Sequence, residues 1–539
     1  MEFAELRAAL LRTEAYPLAP REVTSLQTHI SELFFAGDLV YKVKKPVNLG
    51  FLDFSTLERR RWACEEEVRL NAELAPGVYR RVAPVVRDRS GQVRIAGAEE
   101  MVAQTSIVAW SVEMRRLPTE RTLDRVLNAG ALDDATLDAI VDRLCAFHAQ
   151  APTGAPINEH AAPAALARKF RSTMDRLGRH AAEEPALDAP PSAGEPVAPA
   201  PTITPDLLRR LVTWLDRELQ AQRPLIERRI AQGRVREGHG DLHAGNICLD
   251  PQAPGGLVIY DRIEFNRAMR CLDVSAEIAF LAMDLEYRGH VEPASALVDR
   301  YAARADDPTL GPLQPMHRCH YAAVRGMADS IGASESEVAP EDRAAAWERA
   351  RRRLDLALGY TLAPGLVVLC GLPGAGKSWI AERVARPLRA RWLRSDIIRR
   401  EQDAGSDRYS EEAIEAVYGV MARRAGDALD ARRTVVADAT YATRRRRSAI
   451  LDVARQRGAP WIVICATGPD EVVRQRLAAR AANAREPSEA DYEVYRAAKQ
   501  RFEPPDEIEP ERLLTVGPHT QALRITRAAV STLAQQAPL

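Results

Sequence analysis

The stretch "LVVLCGLPGAGKS", residues 366–378, constrains the fold of this chain more than any other segment. It reads as a short apolar strand, a Gly-rich turn and the opening of a helix, a succession that belongs to a buried strand of an α/β sheet. The alternation continues downstream: strand 391–395, helix 411–430, strand 434–437, helix 444–457, strand 461–466, helices 471–484 and 489–502, and strand 512–516, after the strand at 366–370 and the helix from 376. Strands alternating with helices predict a mostly parallel sheet covered on both faces, a three-layer α/β/α domain.

Gly371, Gly376, Lys377 and Ser378 fit the pattern GxxxxGK[ST], with Gly374 inside the same loop. Glycines let backbone N–H groups turn inward around a phosphate, the lysine adds a point charge toward the β and γ phosphates, and the serine hydroxyl suits Mg²⁺. "TVVADAT" ends an apolar run on Asp438, at the sheet edge where ligands of such folds gather; this carboxylate either joins the metal shell or caps the next helix. Asp396 follows "RWLRS" at the corresponding place, where it could take the proton of an attacking hydroxyl while Arg399 and Arg400 fix an anionic acceptor. Arg476 and Arg480 stand four apart on one helix face, a spacing suited to a lid over phosphates and equally to a solvated helix surface. On "GLPGAGKS", "RSDIIRR" and "VVADAT", residues 364–539 resemble P-loop small-molecule and polynucleotide kinases, a group that includes zeta-toxin-like kinases.

A second phosphate-handling pattern lies more than a hundred residues earlier. "HGDLHAGN" places Asp241 and Asn246 five apart, as in a kinase catalytic loop, where the Asp accepts the proton of the acceptor hydroxyl and the Asn binds a metal. Asp261 ends the apolar run of "LVIYDRIEF", the position of a second metal ligand. Such a site also needs a strand lysine paired with a helix glutamate. In "LVYKVKK", Lys42 and Lys44 point to one face, and the next helix offers Glu65, Glu66 and Glu67. Lys42 with Glu67 is the preferred pair because Glu67 lies beside the inward stripe of Leu70 and Leu74; Lys44 and Glu66 stay open as alternatives. The helix "STLERRRWACEEEVRLNAEL" takes Ser55 as its expected N-cap, and the strands before it meet at an Ala36-Gly37-Asp38 turn.

With "HGD" and "CAFHAQAP", residues 25–330 resemble the aminoglycoside phosphotransferase family, which implies a bilobal protein-kinase-like fold: a small β-rich start and a mainly helical remainder from about 120 to 345. Two departures stand out: only Gly37 precedes Lys42 where a Gly-rich loop is usual, and "DRIEF" replaces Asp-Phe-Gly. With "KKPVNLGFLDFSTLE" and "YDRIEFN", the whole arrangement is similar to bifunctional aminoglycoside phosphotransferase/ATP-binding proteins. The resemblance implies two ATP- and Mg²⁺-dependent phosphotransferase sites acting on hydroxyl groups of small molecules. A drug kinase for polycations would need an acidic cleft, and "AFLAMDLEYRGHVEP" offers Asp284, Glu286 and Glu292, as a solvated helix face also would.

The 539 residues suit two large domains, placed at 1–360 and 361–539 with the break at "GYTLAPG"; a Pro/Ala-rich insertion at 183–205 interrupts the first. Lys plus Arg (75) equals Asp plus Glu (75), so no global field recruits nucleic acid or an anionic membrane. The seven cysteines are scattered without a CxxC pair, and the N-terminus lacks the basic and apolar runs of a signal peptide, so the expected setting is the cytoplasm with reduced thiols and no membrane partner. Two further readings remain. The C-terminal half could be a nucleic-acid or nucleotide-sugar kinase, with the Arg444–Arg447 run meeting phosphates, or the N-terminal half could sense nucleotide and regulate its neighbour.

Overall fold

A computed structural model describes residues 2–50, 52–180, 203–334, 339–402, 410–481, 492–518, 520 and 522–536. The expected insertion at 183–205 lies outside them apart from its last three residues. The chain forms two compact units, one of Met1–Arg168 with Ala221–His317 and the other of Lys169–Gln220 with Arg318–Leu539.

The first unit opens on a six-stranded antiparallel sheet: β1 (Val23–Gln27), β2 (Ser31–Ala36), β3 (Leu39–Lys44), β4 (Tyr79–Arg87), β5 (Val93–Ile95) and β6 (Ile107–Arg115), in the order β1-β2-β3-β6-β4-β5. Ala36 pairs with Leu39, so Gly37 and Asp38 alone make the β2–β3 turn, and Gly37 takes the positive φ (65°) that the tight hairpin needs. Alternation along β3 sends Tyr41 and Val43 into one core with Phe34, Val85 and Ala109, while Val40, Lys42 and Lys44 share the opposite face. Helix Leu57–Asn71 packs against β4 and β6 and contributes Cys64 to the Val40 cluster. Its N-cap is Thr56, whose hydroxyl accepts from Arg59 N–H; Ser55, the expected cap, is engaged with the Asp53 carboxylate instead.

The remainder of this unit is mainly helical, as expected, with four short strands: β7 (Val235–Glu237), β8 (Ile247–Cys248), β9 (Val258–Ile259) and β10 (Cys271–Asp273). β8 pairs with β9 and β7 with β10, each antiparallel. These hairpins carry the segments that hold Asp241, Asn246 and Asp261, and helix Val274–Tyr287 runs behind them, buried along nearly its whole length. Leu144, Phe147, Leu242, Ile247, Ile259, Ile278 and Leu281 close the core around that helix.

The second unit contains a five-stranded sheet: β11 (Leu366–Cys370), β12 (Arg391–Arg394), β13 (Val435–Asp438), β14 (Trp461–Ala466) and β15 (Leu513–Val516). All neighbours are parallel and the order is β12-β13-β11-β14-β15, the architecture the alternation predicts. Every residue of β11 and β14 is buried, consistent with helices on both faces. Sequence reading misses two helices, Ser395–Glu401 and Ala522–Gln536. Helix Pro340–Tyr360 docks against helix Lys377–Leu388 so closely that a Cβ on Gly359 would come 2.0 Å from the carbonyl oxygen of Pro387. The seven cysteines are free thiols, all but Cys145 buried. No described helix is long and apolar enough to cross a membrane.

Candidate nucleotide sites

In the second unit, parallel pairing brings the carboxyl ends of three strands to one edge. Leu369 and Arg394 both pair in register with Asp438, and Gly371 N–H donates to Thr440 O at 3.1 Å. The loop from Gly371 to Gly376 rises from this edge. Gly371 and Gly374 have φ of 132° and 77°, and a Cβ there would lie 2.3 Å from Ala466 O or 2.9 Å from Val473 Cγ1. The chain can follow this path only without side chains at those points. Gly376 closes the loop at φ 99°, and helix Lys377–Leu388 begins immediately after it.

Lys377 donates through Nζ to Leu372 O at 3.0 Å, folding back over the loop that it would share with phosphates. Ser378 bonds to Asp438, which also accepts from Trp392 Nε1 at 3.3 Å. Burial pushes the Asp438 carboxyl above its usual range, partly opposed by Lys377, the Ser378 hydroxyl and Arg394. Ser378 and Asp438 are therefore in contact at the foot of the loop, an all-oxygen donor pair suited to Mg²⁺. Asp396 sits in the first turn of helix Ser395–Glu401, 3.4 Å from Arg399 Nη1 and close enough to Asp438 to act on its charge. Arg400 occupies the last turn of the same short helix.

Arg476 reaches the back of the loop, donating to Ala375 O and to Pro518 O at 3.4 Å each. It links the glycine loop to the segment after β15. The Arg480 side chain lies outside the described residues. The Arg444–Arg447 run is engaged with carboxylates: Arg444 with Asp506, Arg445 and Arg446 with Glu415, and the fully buried Arg447 with Glu507.

In the first unit, the sequence-derived residues converge as well. Lys42 Nζ lies 2.7 Å from Glu67 Oε1 and 2.6 Å from Asp261 Oδ1. Lys44 lies 2.5 Å from Glu67 Oε2, so the two lysines are not alternatives: each takes one oxygen of the same carboxylate. Glu66 points away and pairs with Arg69 at 2.6 Å. Burial works to raise the Asp261 pKa, and the Lys42 ammonium more than offsets it, leaving the carboxyl below its ordinary range. Asp261 holds a left-handed backbone (φ 64°), with its N–H donating to the Tyr79 hydroxyl at 3.0 Å. Asn246 donates Nδ2 to Asp241 O at 3.0 Å, which leaves Oδ1 as the atom it can offer a cation. The Lys42 ammonium balances the charge of the Asp261 carboxylate, whose oxygens with Asn246 Oδ1 are the hard donors that Mg²⁺ takes. Among the described residues, no group of three or more His, Cys, Asp or Glu side chains is gathered as a metal cluster.

Two residues that the sequence analysis did not assign set the loop of Asp241. Glu277, buried on helix Val274–Tyr287, accepts the N–H groups of His239 and Gly240 through Oε1 at 2.6 and 2.7 Å. Its Oε2 lies 2.6 Å from His148 Nε2, and His148 Nδ1 lies 2.7 Å from the Tyr301 hydroxyl. Burial acts to raise the Glu277 pKa, but the bond from His148 and the neighbouring charges hold the carboxyl below its usual value. A Cβ on Gly238 would strike Glu277 Oε2 at 2.4 Å, which explains the glycine before His239. The only signal available was His148 inside "CAFHAQAP". Asp284 is also occupied: it accepts Ala244 N–H at 3.0 Å and pairs with Arg288, and Glu286 is buried. The acidic lining expected from these two is therefore interior to the helix packing.

Residues 366–505 match a family described as an AAA domain. The chain is 28% identical over 535 residues to uncharacterized proteins of Mycobacterium tuberculosis strain H37Rv and of Mycobacterium bovis, alignments covering 96% of this chain and 98% of each relative. Similar solved structures include a gluconokinase from Sinorhizobium meliloti 1021, at 20% identity over 32% of this chain and 94% of that one, with a TM-score of 0.26. Another is the Mycobacterium tuberculosis APS kinase CysC in complex with AMPPNP and APS, at 19% identity over 32% of this chain and 98% of that one, also with a TM-score of 0.26. The family match, the five-stranded parallel sheet and the glycine loop together give the C-terminal residues a P-loop NTPase fold.

Proposed function

We propose that the chain is an ATP-dependent phosphotransferase with two nucleotide sites, each moving the γ-phosphoryl group of ATP to a hydroxyl of a small-molecule acceptor. On this reading residues 1–360 form a bilobal, protein-kinase-like domain akin to aminoglycoside phosphotransferases, and residues 361–539 a P-loop kinase. The observation that carries it is that candidate phosphate-handling side chains gather separately, Lys42, Glu67 and Asp261 in one compact unit and Lys377, Ser378 and Asp438 in the other.

In the N-terminal site, Lys42 is held by Glu67 and directed at phosphate, Asp261 and Asn246 hold Mg²⁺, and Asp241 accepts the proton of the acceptor hydroxyl. In the C-terminal site, the loop Gly371–Gly376 and Lys377 bind phosphates, and Ser378 and Asp438 hold the metal. Arg476, with Arg480 from the same helix, borders the nucleotide, and Asp396 takes the acceptor proton. Mg²⁺ bound at either place would neutralise charge developing on the transferred group. The carboxylate pairing of Arg444–Arg447 weighs against a nucleic-acid acceptor, and the interior placement of Asp284 and Glu286 against a polycationic one.

The test is transfer of labelled γ-phosphate into a metabolite extract, with the products read by mass spectrometry for wild type, Lys377→Ala and Asp241→Ala. Two-site transfer predicts distinct products, one lost in each variant. Loss of every product in both variants would replace the two sites by one composite site.

A further inference from the structure

Lys44 and Glu264 are given no role in the phosphotransfer proposed above, yet they are built into the site. Lys44 follows Lys42 by two residues on the same face of β3, and Glu264 follows Asp261 by three. Both are buried, at 1% and 4% exposure, and they pair with each other while Lys44 also reaches Glu67 Oε2. Two lysines and three carboxylates thus form one chain of contacts, Asp261–Lys42–Glu67–Lys44–Glu264, with a single surplus negative charge. Asp261, its most exposed member, is at one end. Replacing a buried ion pair by apolar side chains is often neutral or stabilising, so fold stability alone does not call for Lys44 and Glu264.

We infer that Lys44 and Glu264 are positioning residues of the N-terminal site, holding Glu67 and the Asp261 segment in place while Lys42 moves from the Asp261 carboxylate to a nucleotide phosphate. The inference rests on the N-terminal nucleotide reading given above. Lys42 divides its ammonium between Glu67 and Asp261, and a metal on Asp261 would compete for that second contact. When Lys42 shifts, Glu67 keeps Lys44 on its other oxygen. The Asp261 segment, strained by its left-handed backbone, stays tied to β3 through Glu264. Without Lys44, Glu67 and Glu264 become two buried carboxylates that share the charge of Lys42 and restrain it from phosphate. Without the Glu264 charge, Lys44 turns wholly to Glu67 and loosens its hold on Lys42.

The experiment uses full-length protein carrying Lys377→Ala, which silences the C-terminal site. Lys44→Met and the nearly isosteric Glu264→Gln are each compared with Lys42→Met. ATP turnover is measured together with the Mg²⁺ concentration at which a non-hydrolysable ATP analogue gives half its maximal thermal stabilisation. Supporting residues behind a metal site typically contribute about 10–100-fold, so either variant should lower kcat by at least about tenfold and raise the Mg²⁺ requirement, with KM for ATP within about threefold. The double variant Lys44→Met/Glu264→Gln, which removes both charges together, should recover part of both losses. A lowered ligand-free melting temperature with kcat and Mg²⁺ dependence unchanged would overturn the inference alone. Unaltered nucleotide binding and turnover in Lys42→Met would overturn the reading of the site, and the inference with it.

Discussion

Replacing Glu277 by alanine tests whether the loop of Asp241 is held from behind. The carboxylate is buried and accepts two backbone N–H groups, from His239 and Gly240, at 2.6 and 2.7 Å. A buried donor left without an acceptor costs about 1–3 kcal/mol, so the two together cost roughly 2–6 kcal/mol, less whatever water recovers by entering. Loss of the His148 contact adds to this. Glu277→Gln keeps an oxygen for both N–H groups and exchanges charge-assisted bonds for neutral ones, a difference of about 1 kcal/mol each. The expected order of stability is wild type, then Gln lower by about 2 kcal/mol, then Ala lower by about 3–5 kcal/mol. Because a misplacement of about 1 Å can cost about a hundredfold in rate, turnover at the N-terminal site should fall further in Ala than in Gln. Urea unfolding and ATP turnover in a Lys377→Ala background measure both. Glu277→Ala within about 1 kcal/mol of wild type and with unchanged turnover would refute the reasoning.

Three further outcomes are expected. Asp396→Asn should leave nucleotide binding within a few-fold of wild type and slow C-terminal transfer by about a hundredfold, the scale of general-base catalysis; lost binding with a retained rate at saturation would make Asp396 a ground-state ATP contact. Asp438→Asn should weaken Mg²⁺-dependent nucleotide binding while the ligand-free protein unfolds no earlier at neutral pH. Burial raises the Asp438 pKa, so above the ordinary carboxylate range its charge opposes folding, and a neutral amide removes that opposition; earlier unfolding would contradict this. Burial, the largest influence, lowers the His239 pKa against Glu277 and Asp241, so below about pH 6.5 the unfolded chain binds a proton that the native state refuses. Stability should rise with pH through that window and drop on acidification. A His239→Gln variant, whose urea midpoint is compared at pH 5.5 and 7.5, should show a smaller drop; an identical drop would place the titration elsewhere.

The C-terminal fold was legible because its determinants are local. Apolar strands, helix-opening residues and the glycine run lie within a few residues of one another, and the observed strands fall within a residue of the expected ones. In the N-terminal half, residue types and spacing singled out Lys42, Glu67, Asp241, Asn246 and Asp261 as candidates, but the period of β3 could not rank Lys42 against Lys44 because both lie on one face. Glu67, inside helix Leu57–Asn71, meets both lysines, one on each carboxylate oxygen. Glu277, His148 and Glu264 were hidden because their partners lie 38, 129 and 220 residues away, and no local pattern marks a carboxylate for such a distant loop. The N-cap shifted from Ser55 to Thr56 because Asp53 captures Ser55. In sequence the Arg444–Arg447 run reads as a stretch that could meet phosphates, yet Arg447 is fully buried because Glu507 and the carbonyl oxygens of Tyr441, Glu503 and Pro504 surround it.

The central claim is that each unit binds its own nucleotide, and equilibrium dialysis of a radiolabelled, non-hydrolysable ATP analogue with Mg²⁺ tests it most directly. Lys42 and Lys377 belong to different compact units, so each should govern one site. Wild type should bind two nucleotides per chain, Lys42→Met one, Lys377→Ala one, and the double variant none. A single nucleotide per wild-type chain, or complete loss of binding in either single variant, would contradict the account.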